Sequence, residues 1–170
     1  MFVSVSGYSK PCLYPDRNRD FGRQRKSTNM AIPRKTNIIL ETTVNAPIEK
    51  VWECWTVPEH IGQWNNASDD WHTPSASSDL RNGGHFSYRM EAKDGSFGFD
   101  FGGVYDEVKT NELISYTLGD GRKVKVIFTG TGDTTKVTEA FEAETENPVE
   151  LQRGGWQAIL NNFKNYVELN

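Results

Sequence analysis

The chain has 170 residues, a formal net charge of −4, and only 2 Cys and 3 His. That length suits one domain with its own core, and two cysteines cannot form a disulfide framework. No apolar run approaches the ~20 residues of a membrane-spanning helix, and no Cys/His cluster has metal-site spacing, so integral membrane contact and a metal centre are excluded.

The charge is divided unevenly. Residues 1–36 carry eight Lys/Arg against two acids, or +6, which leaves −10 on residues 37–170. An acidic body argues against nucleic-acid binding, which needs clustered positive charge. The basic segment lacks hydrophobic periodicity and reads as disordered. A transit peptide is opposed by Asp16, Asp20 and the prolines, and contact with an anionic surface is opposed by the missing apolar face. The remaining reading is a non-native or upstream extension, with Met30 as the natural start. Residues 1–36 are therefore set apart from a single domain at 37–170, expected in the cytoplasm.

Within that domain Asn37–Asn45 is rich in β-branched residues and reads as a strand. Asn45 is an available N-cap before Pro47, and Ile48, Val51, Trp52 and Trp55 follow at helical spacing to about Thr56. A second short helix runs from Pro58 to Trp64. Trp71–Arg81 alternates, with His72, Pro74, Ala76, Ser78 and Leu80 on one face. Asn82-Gly83-Gly84 predicts a tight turn. His85–Ala92 then places Phe86, Tyr88 and Met90 on one side.

After the turn at Lys93–Ser96, Phe97–Tyr105 is a strand whose glycines predict a bulge, a bend or close approach of another group. Asp106–Asn111 reads as a turn. Glu112–Leu118, Arg122–Gly130 and Thr135–Ala143 add three more strands. Beyond Pro148, Trp156, Ile159, Leu160, Phe163 and Val167 recur at helical spacing and predict a helix of roughly 20 residues. Gly154-Gly155 inside it predicts tight packing against the helix backbone, since each glycine costs about 1 kcal/mol of helix propensity. Seven antiparallel strands with one apolar face need the long helix as a cover. The predicted class is α+β, a helix-grip with a curved sheet around the C-terminal helix.

Five motifs in this order resemble the START/Bet v 1-like (SRPBCC) superfamily. Within it they resemble the family named for the activator of the heat-shock-protein-ninety ATPase. They are Asn45-Ala46-Pro47-Ile48-Glu49-Lys50-Val51-Trp52, Pro58-Glu59 with Trp64, Asp79-Leu80-Arg81-Asn82-Gly83-Gly84-His85-Phe86, Gly103-Val104-Tyr105-Asp106-Glu107-Val108, and Gly155-Trp156. The resemblance covers residues 38–168. It implies a fold built around one cavity, used in the superfamily by lipid and sterol carriers, hormone receptors, cyclases and co-chaperone domains.

Residues 37–170 hold 16 aromatics against 24 Val, Ile and Leu, a high ratio. Aromatics beside glycines can line a pocket for a planar or acyl ligand, or simply fill a core. The candidate ligand-binding residues are Trp64, Trp71, His72, Phe86 and Tyr88 in the first half, and Phe99, Phe101, Tyr116, Trp156 and Phe163 in the second. Asp100 points to solvent if its flanking Phe residues face inward; a bulge at Gly102-Gly103 would turn it into the pocket as a general acid or base. His72 is the companion catalytic candidate. Cys54 reads as packing, because Glu53 cannot activate it. No nucleophile elbow, zinc helix or phosphate loop is present, and no cofactor is implied.

Three functions remain open. The first is a non-catalytic module enclosing a small hydrophobic ligand. The second is a cavity enzyme of cyclase or hydrolase type using His72 with Asp100 and Tyr88. The third, suggested only by the family's name, regulates a chaperone ATPase and ranks last. A homodimer paired through strand edges around Leu118–Val126 is a further expectation.

Overall fold

The computed structural model describes residues 36–170, and the basic segment proposed as a leader or extension lies outside them except for Thr36. Strand β1 (Asn37–Val44) buries alternate side chains, with Ile38, Leu40 and Val44 facing the interior. Pro47, in an extended conformation, is the N-cap of α1 (Ile48–Thr56). Asn45 does not cap the helix: it lies two residues too early, and its backbone N–H donates to Glu168 Oε1 at 2.8 Å. The helix buries Val51, Trp52, Cys54 and Thr56; α2 (Pro58–Trp64), which Pro58 opens at a position where its missing N–H costs nothing, buries Ile61 and Trp64.

Strands β2 (Trp71–Ser78), β3 (His85–Ala92), β4 (Gly98–Lys109), β5 (Leu113–Leu118), β6 (Lys123–Thr131) and β7 (Thr134–Glu142) follow as a meander. They form one antiparallel sheet in the order β1-β7-β6-β5-β4-β3-β2. The sheet curls into a half-barrel, and α3 (Val149–Leu169) lies on its concave side. The α+β helix-grip architecture is thus the observed one.

Two expectations about the sheet need correction. Leu118–Val126 is not an edge: β5 and β6 are central strands paired on both sides, and the free edges belong to β1 and β2. Nor does β4 stop at Tyr105. Asp106 is the extra residue of a bulge, after which pairing resumes from Glu107 with Ser115 to Lys109 with Leu113. A bulge of this kind sharpens local twist and bends a long strand around the interior.

The β4 glycines answer close neighbours. A Cβ on Gly103 would sit 2.3 Å from Thr117 O, so the strand approaches β5 more closely than any side chain permits. Gly154 behaves oppositely to expectation: a Cβ there would meet nothing within 4 Å, because its side of α3 faces solvent rather than the sheet.

The helix α3 buries Gln152, Leu160, Phe163 and Val167. Its backbone runs close to β1, α2 and α1. Polar contacts fix it there: Arg153 Nη1 donates to Ile39 O at 3.1 Å, and Asn162 Nδ2 to Asn66 O at 2.6 Å. Gln152 ties the preceding loop to the first turn, accepting from Glu144 N at 2.9 Å and donating to Asn147 O at 2.8 Å. The two glycine environments are tested by urea denaturation. Gly103→Ala is expected to lose about 2 kcal/mol through overpacking, whereas Gly154→Ala gains up to about 1 kcal/mol from helix propensity.

Candidate functional site

Alternation along β3, β4 and β5 carries aromatic rings onto the concave face. Phe86 is central: its ring centroid lies 4.9 Å from Tyr116, 5.0 Å from Tyr105, 5.2 Å from Tyr88 and 6.0 Å from Phe101. Gly103 pairs with Phe86 on one side and Leu118 on the other, so the glycine lies between the aromatic strand β3 and the closely approaching β5. From the opposite wall, Trp156 of α3 stacks on Phe141 of β7 with centroids 4.0 Å apart and planes 12° apart. The same indole meets Phe101 edge-on at 5.9 Å. One side chain of α3 thus touches both β7 and β4.

Hydroxyls thread this aromatic wall. Ser78 Oγ and Tyr105 OH are 2.9 Å apart, and Tyr105 OH and Tyr88 OH 3.4 Å. Burial pushes the phenols of Tyr88 and Tyr116 well above their ordinary range. Tyr88, Phe101 and Trp156 are half-buried, and each keeps part of its surface accessible.

Glu139 on β7 also faces this interior, between Val137 and Phe141 on the inward side of the strand. It is 6% exposed, and no donor among the described residues bonds its carboxyl. Burial alone raises its pKa to about 8, so most of the carboxyl is protonated at neutral pH.

The residues singled out from sequence fall into four places. Phe86, Tyr88, Phe101, Tyr116 and Trp156 converge on the concave face. Trp64 and Phe163 lie instead in the helical core: their rings are 4.9 Å apart, each packs on Trp55, and Trp64 Nε1 donates to Cys54 O at 2.9 Å. Trp71 and Phe99 form a cluster with the exposed Phe97 at one end of the sheet, centroids 6.0–6.2 Å apart.

His72 and Asp100 sit on the outer face, away from Tyr88. The register of β2 slips between His72 and Ser75, which puts His72 on the side opposite Ala76 rather than beside it. His72 Nε2 is 3.9 Å from Glu91, and Asp100 is 3.5 Å from Arg89, all on the surface. No bulge occurs at Gly102-Gly103 to turn Asp100 inward, since β3 and β4 pair without interruption from Glu91 and Gly98 to His85 and Val104. Cys54 is buried, and that burial pushes its thiol pKa up, as packing requires. His60, which carried no assignment, pairs its Nδ1 with Tyr166 OH at 2.7 Å.

Sequence reasoning missed Glu139, Tyr105, Phe141 and Ser78. For Glu139 the signal was present: the alternation Thr135, Val137, Glu139, Phe141 puts an acid in register with two core residues. Among the described residues no group of His, Cys, Asp and Glu could hold a metal ion. Nor is any described helix long and apolar enough to cross a membrane.

A curled antiparallel sheet closed by a C-terminal helix over an aromatic interior defines a protein of the helix-grip class. The chain belongs to the family described as Activator of Hsp90 ATPase homolog 1-like protein, whose model matches residues 45–168. The solution structure of an AHSA1-like protein from Aeromonas hydrophila is 45% identical, with a TM-score of 0.75 over 79% of this chain and 93% of that one. A protein from Cytophaga hutchinsonii is 60% identical, with a TM-score of 0.69 over the same shares, 79% and 93%. One from Nitrosomonas europaea, 19% identical with a TM-score of 0.67 over 78% and 94%, shares the fold. No functionally curated protein matches.

The buried carboxyl predicts an unusual pH dependence of stability. Its pKa is about 8 folded and about 4.3 unfolded, so the native state holds the proton more tightly between those values. The associated stabilisation is fully present below the unfolded pKa and is lost as pH rises through the folded one. Chemical denaturation from pH 5 to 9 should show the wild type falling relative to Glu139→Gln by several kcal/mol. Parallel curves would contradict the burial of an unpaired carboxyl.

Proposed function

We propose that the domain at 37–170 is a non-catalytic binding module of the cytoplasm, enclosing a small hydrophobic ligand, aromatic or acyl in character, between the concave sheet face and α3. The observation that carries this reading is the wall formed by Phe86, Tyr88, Phe101, Tyr116 and Trp156, in which Tyr88, Phe101 and Trp156 retain accessible surface. Offset and edge-on rings present both faces and edges to a planar guest, and apolar surface removed from water contributes roughly 25 cal/mol per Å². The curled sheet of the family supports the same reading in general terms.

The cavity-enzyme reading needs His72, Asp100 and Tyr88 around one substrate. Tyr88 points inward and the other two outward, so the set does not converge. Regulation of a chaperone ATPase rests on the family's description alone and has no feature of the described residues to locate a contact surface.

Native mass spectrometry of the purified protein, followed by extraction, tests the proposal directly. The expected result is a co-purifying hydrophobic molecule, or saturable uptake of an aromatic probe that quenches tryptophan fluorescence. Phe101→Ala should weaken probe binding about tenfold, or ~1.4 kcal/mol, while His72→Ala and Asp100→Asn leave it unchanged. A bare mass together with no probe uptake would overturn the reading.

A further inference from the structure

The interior of a binding fold decides not only size but charge, and among the described residues Glu139 is the one buried carboxyl. Glu139 lies between Leu40 of β1 and Val126 of β6 in the sheet register. It shares the inward side of β7 with Phe141, on which Trp156 stacks. Burying a polar group without a partner costs several kcal/mol, so such groups are normally bonded. Glu139 has no hydrogen bond, yet its oxygens are not among the sealed, unbonded polar atoms of the described residues. They therefore border accessible space, although the residue as a whole is only 6% exposed. A buried, unpartnered acid on the inward side of β7, with its oxygens not sealed off, is placed to bond a guest that reaches that face.

Resting on the binding reading above, we propose that Glu139 is the polar anchor of the interior: its carboxyl O–H donates a hydrogen bond to a carbonyl or hydroxyl oxygen of an uncharged aromatic or acyl ligand, and the site rejects carboxylate ligands.

The surroundings decide between ligand charges. Tyr116, from β5, is the titratable neighbour whose phenol feels Glu139, and its own pKa lies far above neutrality. The residues that flank Glu139 in register on β1 and β6, Leu40 and Val126, are apolar and buried. Arg122, the cation whose charge reaches Tyr116, sits in the turn before β6 with Nε held by Asp120 Oδ2 at 2.7 Å. Its Nη1 is directed to Glu142 O at 3.4 Å. An anionic guest would bring an uncompensated charge into this space beside an acid. A neutral amine would take the carboxyl's proton, and an ammonium guest would require the carboxyl to release its proton to solvent. Either leaves a buried ion pair with too few further partners to offset its desolvation. A neutral oxygen accepts the proton's hydrogen bond and adds no charge.

Four naphthalene probes of matched shape test this: acetylnaphthalene, ethylnaphthalene, naphthoate and naphthylethylamine. Each is titrated into the full chain by tryptophan quenching and amide chemical shifts, with Glu139→Gln and Glu139→Leu alongside. The expected result at neutral pH is that the ketone binds about fivefold more tightly than the ethyl analogue, in line with one neutral hydrogen bond. Naphthoate should bind at least tenfold more weakly than the ketone. Glu139→Gln, which keeps a donor, should preserve the ketone preference, and Glu139→Leu should abolish it while still taking up ethylnaphthalene. Ketone affinity of the wild type should fall as pH rises through about 8, and that of Glu139→Gln should not.

If ketone and ethyl probes bind equally to the wild type, if Glu139→Leu keeps the preference, or if naphthoate or the amine binds best, the anchor is overturned while the binding module stands. Loss of the preference in Tyr88→Phe but not in Glu139→Leu would move the anchor to the phenol chain and overturn the proposal equally. If none of the four probes binds, the binding module itself fails and the anchor with it. Unchanged amide spectra of the free variants confirm that each is folded.

Discussion

The stack of Trp156 on Phe141 governs how the helix meets the sheet. It fixes one side of α3 against β7 at the distance of two aromatic planes, close to the optimum for dispersion contact. α3 is also fastened to β1 and to the loop after α2. The same indole meets Phe101 of β4 edge-on at 5.9 Å, so one side chain ties the helix to both β7 and β4.

Two groups of aromatics can be told apart. Around Trp55, the rings of Trp64, Phe128 and Phe163 meet at centroid distances of 4.7–5.6 Å, and Trp64 satisfies its N–H on a neighbouring carbonyl. That region is core, and it anchors α1, α2 and α3 to one another. Around Phe86 the rings are as close, and the hydroxyls of Ser78, Tyr88 and Tyr105 lie among them, which the rings around Trp55 lack. A hydrophobic wall with a few convergent polar groups is the usual composition of a small-molecule site. Glu139 extends the pattern, because a buried carboxyl kept unpaired carries a standing energetic penalty that a purely structural position would gain by removing.

The outer face tells a simpler story. His72, Glu91, Arg89 and Asp100 form a ladder of surface charges across β2, β3 and β4, and exposed pairs of this kind contribute little. Their value is in the sheet's solvent side, where charge opposes aggregation. The same alternation that sends Phe86, Tyr88 and Phe101 inward sends these groups out, so catalysis by His72 and Asp100 on an enclosed substrate has no geometric basis.

Periodicity by itself determined the element order, the inward face of β3, the span of α3 and the helix-grip class, because side-chain alternation and helical spacing are local properties of the chain. The residues Phe86, Tyr88, Phe101, Tyr116 and Trp156 were legible for the same reason, each lying on a regularly alternating or helical face. Where a backbone irregularity intervenes, local reading fails. The slip between His72 and Ser75 inverted the face assigned to His72, and the bulge at Asp106 carried β4 past its apparent end. Only the tertiary structure decided that Trp64 and Phe163 fill a closed core, that Gly154 faces open solvent, and that Leu118–Val126 lies mid-sheet. Glu139 stands between the two cases: its inward register could be read from the strand, but its lack of any partner depends on what β1, β5, β6 and α3 bring around it. Partners across a sheet come from distant parts of the chain, and no local pattern specifies them.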